Sequence, residues 1–175
     1  DNLGVPPNPA NPFYNEPAWN PDGAAWVDTG LGGFLKAAGY PASVYESEVG
    51  KMKVPTLRNV DLRPTKNSVK AYTHNGYFKS LEEIVHFYNT RDLPGAGWPA
   101  PEVAVNVNTT ELGNLGLTHG EELALVAFLK TLSDGYPSYK LMYDEFSAAG
   151  TDDNADSDEE SAPAIQIFIP TVRNE

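Results

Sequence analysis

At 175 residues and 41% hydrophobic content, the chain is long enough for one domain with a modest core and extensions. A formal charge of −12 sets it against a nucleic-acid duplex, which would repel it, and no run of residues approaches the apolar length of a bilayer-spanning helix. With no cysteine, three histidines and no close His pair, a zinc site is not expected, while the redox compartment is left open.

The chain begins at Asp1-Asn-Leu-Gly-Val-Pro-Pro without an initiating Met or a signal peptide, as expected of a mature product or a fragment. From Val5 to Pro21 the prolines (Pro6, Pro7, Pro9, Pro12, Pro17, Pro21) exclude helix and favour an extended path. Phe13, Tyr14 and Trp19 make residues 1–21 a wrapping arm. Asp22 is a helix-starting residue, but Gly30, Gly32 and Gly33 limit any helix that follows to a turn or two. Residues 51–79 read mainly as loop: Val54-Pro55 is extended, Pro64 interrupts again, and Asn75-Gly76 is a tight turn.

Two helices are expected beyond it. Ser80-Leu-Glu-Glu83 is a capping box, followed on one face by Leu81, Ile84, Val85 and Tyr88. Thr118-His-Gly-Glu121 is the second box, and Leu123, Val126, Ala127 and the neighbours of Lys130 continue an apolar stripe to Leu132, with Asp134-Gly135 as the stop. Ala164-Ile-Gln-Ile-Phe-Ile169 alternates weakly, as a short strand or clasp would.

Charge is segregated. Lys51, Lys53, Arg58, Arg63, Lys66, Lys70 and Lys79 are seven of the twelve Lys and Arg, and Asp61 is the one carboxylate among them. This stretch reads as a docking face for an anionic partner, as the complement of a cofactor's carboxylates, or as plain solvated surface. The acid lies at the other end, where Asp152, Asp153, Asp156 and Asp158 offer hard oxygen ligands suited to calcium, although the spacing is not that of an EF-hand loop.

Among single residues, Tyr88 on the apolar face needs a hydrogen-bond partner or a metal for its phenol oxygen; it is a core tyrosine or a ligand. His74, in the turn before the first capped helix, is a surface imidazole or a group facing a cleft. His86, two residues from Tyr88, falls on the solvent side, and His119 sits exposed at the start of the second helix.

The runs Lys53-Val-Pro-Thr-Leu-Arg-Asn-Val60, His74-Asn-Gly-Tyr-Phe78, Leu81-Glu-Glu-Ile-Val-His-Phe-Tyr-Asn89 and Glu111-Leu-Gly-Asn-Leu-Gly-Leu-Thr118 are similar, in order and spacing, to the C-terminal haem module of the bacterial di-haem cytochrome c peroxidase and MauG-like family. The resemblance implies a mainly α, class-I cytochrome c-like helical domain over residues 22–143, with long Pro/Gly-rich loops and an acidic extended tail over residues 144–175. It implies haem c, attached through a Cys-x-x-Cys-His segment that this chain lacks and that would lie shortly before Asp1.

By residue, the resemblance makes Tyr88 the candidate axial ligand of the haem iron, where typical peroxidases carry Met. It places His74, Arg58 and Lys53 close to the haem, Arg58 as a partner for a propionate. Thr73 departs from the Met that many relatives carry before the His. The implied setting is a periplasmic or otherwise exported oxidoreductase that relays electrons for peroxide reduction or oxidation of a protein substrate. Its implied partners are the haem-bearing remainder of the protein and a small electron-donor protein. The chain alone lacks the residues of complete peroxidase activity. The alternative is a haem-free interaction or assembly module that kept the scaffold.

Overall fold

The computed structural model describes residues 1–62, 68 and 70–135, all within one compact unit, Asp1–Tyr136. The sequence boundary at 143/144, the candidate calcium ligands Asp152, Asp153, Asp156 and Asp158, and the 164–169 segment lie outside the described residues. Four α-helices run in chain order: α1 (Gly30–Ala37), α2 (Ala42–Tyr45), α3 (Leu81–Thr90) and α4 (His119–Thr131). Among the described residues there is no strand, only two isolated bridges, Asn2 with Val107 and Tyr72 with Phe78. The described part is thus mainly α, with long loops, as the sequence led us to expect. None of its helices is long and apolar enough to cross a membrane.

Helices α3 and α4 start where their capping boxes lie. The Glu83 amide donates to Ser80 Oγ at 3.1 Å while Ser80 N–H donates to Glu83 Oε2 at 3.2 Å. Thr118 and Glu121 repeat the exchange at 3.3 and 2.8 Å. Each box satisfies two backbone donors that the first turn leaves orphaned. Leu81 and Val85 of α3 are buried, and Ile84 and Tyr88 pack against the core as partly buried residues. Phe87, outside that stripe, is fully buried, with its ring 4.9 Å from Phe78 and 5.2 Å from Trp98.

The face of α4 differs from the sequence reading. Glu122 and Val126 are buried and Leu129 packs on the core, whereas Leu123 is 37% exposed. The helix docks through positions 122, 126 and 129, one helical stripe whose first member is a carboxylate. Its apolar residues Leu125 and Phe128 are left uncovered, 41% and 54% exposed. Val126, Ala127 and Leu129 keep the expected stripe, and only its first member shifts, from Leu123 to Glu122, because a glutamate with polar partners can hold a core position that hydropathy assigns to leucine.

Two other local readings are corrected. Prolines do not keep all of residues 5–21 extended: Pro12–Asn15 forms a 3-10 turn, with Pro at its first position and Asn11 Oδ1 accepting from Phe13 N–H. Asp22 makes no capping bond, and the helix starts later, at Gly30, where Asp28 Oδ1 accepts from the Gly30 amide at 2.9 Å. The glycines of α1 permit close approach. A Cβ on Gly32 would sit 2.4 Å from Val49 N, and one on Gly30, at φ +56°, 2.3 Å from Lys51 O.

The N-terminal arm is threaded through the domain. Its carbonyls at Asn2, Val5 and Pro6 accept from Asn108 N, Glu102 N and Asn75 Nδ2, respectively, and Asn2 Nδ2 donates to Val103 O and Val105 O. Buried Val5 joins the core of Tyr72, Phe78, Leu81, Val85, Phe87 and Val126.

Candidate functional site

The buried positions of α3 fix where Tyr88 stands. Phe87 anchors the helix, and the next residue, Tyr88, is held at the edge of the core with its ring edge-on to Phe87 at 6.5 Å. Its carbonyl accepts from Gly113 N–H at 2.6 Å, but no described residue hydrogen-bonds its hydroxyl. Burial pushes the phenol above its ordinary pKa, because desolvation disfavours the phenolate.

His74 follows Thr73, a β-branched residue at φ +68°, a backbone conformation costing on the order of 1–3 kcal/mol. The Thr73 hydroxyl donates to the Tyr72 carbonyl beside it. This strained turn delivers two donors to one buried carboxylate: His74 Nε2 lies 2.9 Å and Asn75 Nδ2 3.0 Å from Glu102 Oε2. The Glu102 side chain is only 3% exposed. Tyr14 approaches the same carboxylate; burial, then the charge and hydrogen bonding of Glu102, push its phenol up. Glu102 Oε1 nevertheless receives no well-aligned hydrogen bond from any described residue. His74 and Asn75 face an open cleft of about 220 Å³ whose other walls are Asn11, Phe13, Trp26 and Asp28.

Arg58 is turned elsewhere. Its guanidinium forks onto Asp134, with both NH2 contacts at 3.1 Å, and Asn59 adds bonds to the same residue in both directions. These contacts clip the 51–62 loop to the end of α4, with Asn59 N–H donating to Leu132 O. Lys53 is exposed and bonds to no described residue, and Val54 and Leu57 beside it are 72% and 50% exposed. Of the other basic residues, Lys51 pairs with Glu48 and Lys70 with Asp61.

His86 is half exposed, as its helical position implied, yet its Nδ1 lies 3.0 Å from Glu122 Oε1. Asn89 donates to the same oxygen at 2.6 Å and also pairs with both backbone groups of Leu117. Burial works to raise the Glu122 pKa, but the bonds from Asn89 and His86, with the charges of His86 and His119, hold it below the usual carboxylate value. A carboxyl depressed by folding contributes stability above its unfolded pKa that is lost as pH falls through the folded value. Between about pH 5 and 3 we therefore expect the melting temperature of the protein to fall more steeply than that of Glu122→Gln, which starts lower at neutral pH. Parallel slopes in thermal melts across that range would remove Glu122 from the acid response.

Glu102, Asn75 and Glu122 were not singled out in the sequence. Glu102 sits among prolines without periodicity; the one usable signal was a lone carboxylate in an otherwise apolar Pro-rich stretch. Among the described residues no group of three or more His, Asp or Glu is placed to hold a metal ion.

No family model matches the chain. It is 36% identical over 164 residues to the methylamine utilization protein MauG of Paracoccus denitrificans (strain Pd 1222), an alignment covering 86% of this chain and 37% of that protein. It is 35% identical over 112 residues to the cytochrome-c peroxidase IdrP2 of Pseudomonas sp. (strain SCT), covering 62% of this chain and 25% of the relative. With the IdrP2 of Denitromonas iodatirespirans it shares 31% over 141 residues, 75% of this chain and 31% of the relative. The chain spans about a third or less of the length of these relatives. Agreement with MauG over most of its length, and with two peroxidases over more than half of it, makes this chain a member of the MauG-like cytochrome-c peroxidase family.

Proposed function

We propose that the chain is the C-terminal, electron-relay part of an exported MauG-like di-haem oxidoreductase, acting in peroxide reduction or in oxidation of a protein substrate. The observation that carries the reading is Tyr88, a partly buried phenol on a rigidly anchored helix whose hydroxyl no described residue satisfies. A cytochrome c-like fold for the described helices is part of the same proposal.

On this reading the described residues would supply part of a haem site. Tyr88 offers an oxygen donor, and Val54, Leu57, Leu125 and Phe128 are apolar side chains awaiting cover. Attachment thiols would have to come from outside these residues, since there is no cysteine. A bound haem would supply one-electron chemistry, with Tyr88 the residue that would hold its iron.

The chain's own part is positional. The packing of Phe87 under Tyr88 fixes the phenol oxygen, and burial holds its proton until a positive charge is brought to that oxygen. Exposed Lys53 is the cation of the 51–58 loop left free to meet a propionate or an acidic partner, whereas Arg58 must first release Asp134. The haem-bearing remainder of the protein and a small electron donor are the partners this reading requires.

The test is a visible spectrum and pyridine haemochrome of the protein from its native source, repeated with Tyr88→Phe. We expect a c-type haemochrome in both, with the ferric spectrum altered in the variant. The stability of the variant should change by less than about 1 kcal/mol, because the hydroxyl has no partner among the described residues to lose. A colourless protein, or an unaltered ferric spectrum in the variant, overturns the reading.

A further inference from the structure

The cleft beside His74 has a composition that the haem reading does not use. Its six described wall residues include one carboxylate and two aromatic rings, with no Lys or Arg among them. Phe13 and Trp26 meet edge-to-face, ring centroids 4.7 Å apart, so their positions are fixed by one another. Most polar atoms of the wall are already committed. Asn11 Oδ1 accepts from Phe13 N–H, Asn75 Oδ1 from Tyr77 N–H, and Asn75 Nδ2 is taken by Pro6 O and Glu102.

Four side-chain polar atoms of the wall bond to no described residue: the donors Asn11 Nδ2 and Trp26 Nε1, and one atom each on Asp28 and His74. Asp28 uses Oδ1 on the Gly30 amide, and its Oδ2 bonds to no described residue. His74 spends Nε2 on Glu102 Oε2, an oxygen that also receives Asn75 Nδ2–H and therefore serves as an acceptor. That contact makes Nε2 a donor and leaves Nδ1, an acceptor in the neutral ring, with no described partner. Asp28 Oδ2 is thus an open, charged acceptor and His74 Nδ1 a second in the neutral ring, beside two aromatic rings and in front of a buried carboxylate.

Acceptors, π faces and negative charge without a single cation select for a positively charged group that carries N–H donors. The volume of about 220 Å³ lies below the roughly 300–1,000 Å³ of sites for drug-sized ligands, so the occupant is a small head group. We propose that the cleft of Phe13, Trp26, Asp28 and His74 binds an alkylammonium group, with Asp28 Oδ2 and His74 Nδ1 accepting its N–H donors and Glu102 holding the imidazole in the accepting tautomer. The group could be that of a free amine or that of a lysine side chain, which present the same chemistry.

The test needs no haem and so stands apart from the oxidoreductase reading. The whole 175-residue chain is titrated by calorimetry with propylammonium, tetramethylammonium, propionate and Nα-acetyl-lysine-amide, following the His74 ring protons by NMR. We expect saturable binding of propylammonium at least about tenfold tighter than of propionate, a difference of roughly 1.4 kcal/mol. Tetramethylammonium, which has no N–H, should bind about fivefold or more weaker than propylammonium.

Asp28→Asn keeps an oxygen for the Gly30 amide but removes the charge, and Trp26→Leu removes a ring; each should weaken propylammonium binding about fivefold or more. Tighter binding of the lysine derivative than of propylammonium identifies a protein lysine as the source, and the reverse a free amine. No saturation by either ammonium compound, equal affinity for propionate, or Asp28→Asn binding as well as the parent overturns the proposal.

Discussion

Phe87→Ala should cost the protein about 3–5 kcal/mol, the usual range for emptying a buried aromatic position. The ring is fully buried, and it contacts Phe78, Trp98 and Tyr88 at 4.9, 5.2 and 6.5 Å between centroids. No small collapse can refill the space, because the three neighbours come from separate elements: the 72–78 bridge, α3 itself and the 94–102 loop. Against a total stability of roughly 5–15 kcal/mol this is a large share, and the melting temperature should drop by on the order of 10 °C or more. Calorimetry or a denaturant midpoint measures it. A loss under about 1 kcal/mol would mean that the aromatic cluster is not the centre of the core. The same variant should also loosen Tyr88, so any spectrum assigned to Tyr88 should broaden or weaken with it.

The second large effect is expected at Arg91. Its side chain is only 7% exposed and joins two distant segments to its own neighbour: NH1 donates to Leu3 O at 2.7 Å, NH2 to Asn108 O at 2.7 Å, and both Nε and NH2 to the adjacent Asp92. Arg91→Ala leaves two carbonyls and a carboxylate without this donor and removes one of the links between the N-terminal arm and the 108 loop, at a cost of about 3 kcal/mol. Arg91→Lys should recover only part of this, since an ammonium cannot reproduce the planar fork.

A second readout separates the ion pair from mere loss of packing. The hydrogen bond from Arg91 is the main reason the Asp92 carboxyl lies below its ordinary value; burial opposes it and the guanidinium charge assists. In Arg91→Ala the Asp92 titration followed by NMR should therefore move upward. An unmoved Asp92 titration would show that the pair is not maintained in solution.

How much of this was legible in the sequence depends on how far apart the partners lie. Both long helices were, because a capping box is closed within three residues and its energetics are local. The apolar face carrying Tyr88 was legible too, since Leu81, Ile84, Val85 and Tyr88 follow the helical period and all four pack inward to some degree. Phe87 was missed because a helix buried between an aromatic bridge and Trp98 is covered over more of its circumference than one stripe describes.

The errors have a common origin. Hydropathy placed Leu123 in the core and had no reason to place Glu122 there; Glu122 is inside because Asn89, 33 residues away, and His86, 36 residues away, neutralise the cost of burying it. Glycines at 30 and 32 read as interruptions, yet the fold uses them as the places where α1 touches the backbone of Lys51 and Val49.

By itself, then, the sequence determined the starts of α3 and α4, the proline-fixed path of much of the arm, the inward face of α3 and the family signature, all of which are written in residues close along the chain. Tertiary structure alone decided the pairing of His74 with Glu102 across 28 residues and of Arg58 with Asp134 across 76. The physical reason is that a side chain's partner depends on where the intervening loops return, and loop closure is governed by burial and hydrogen bonding of the whole domain.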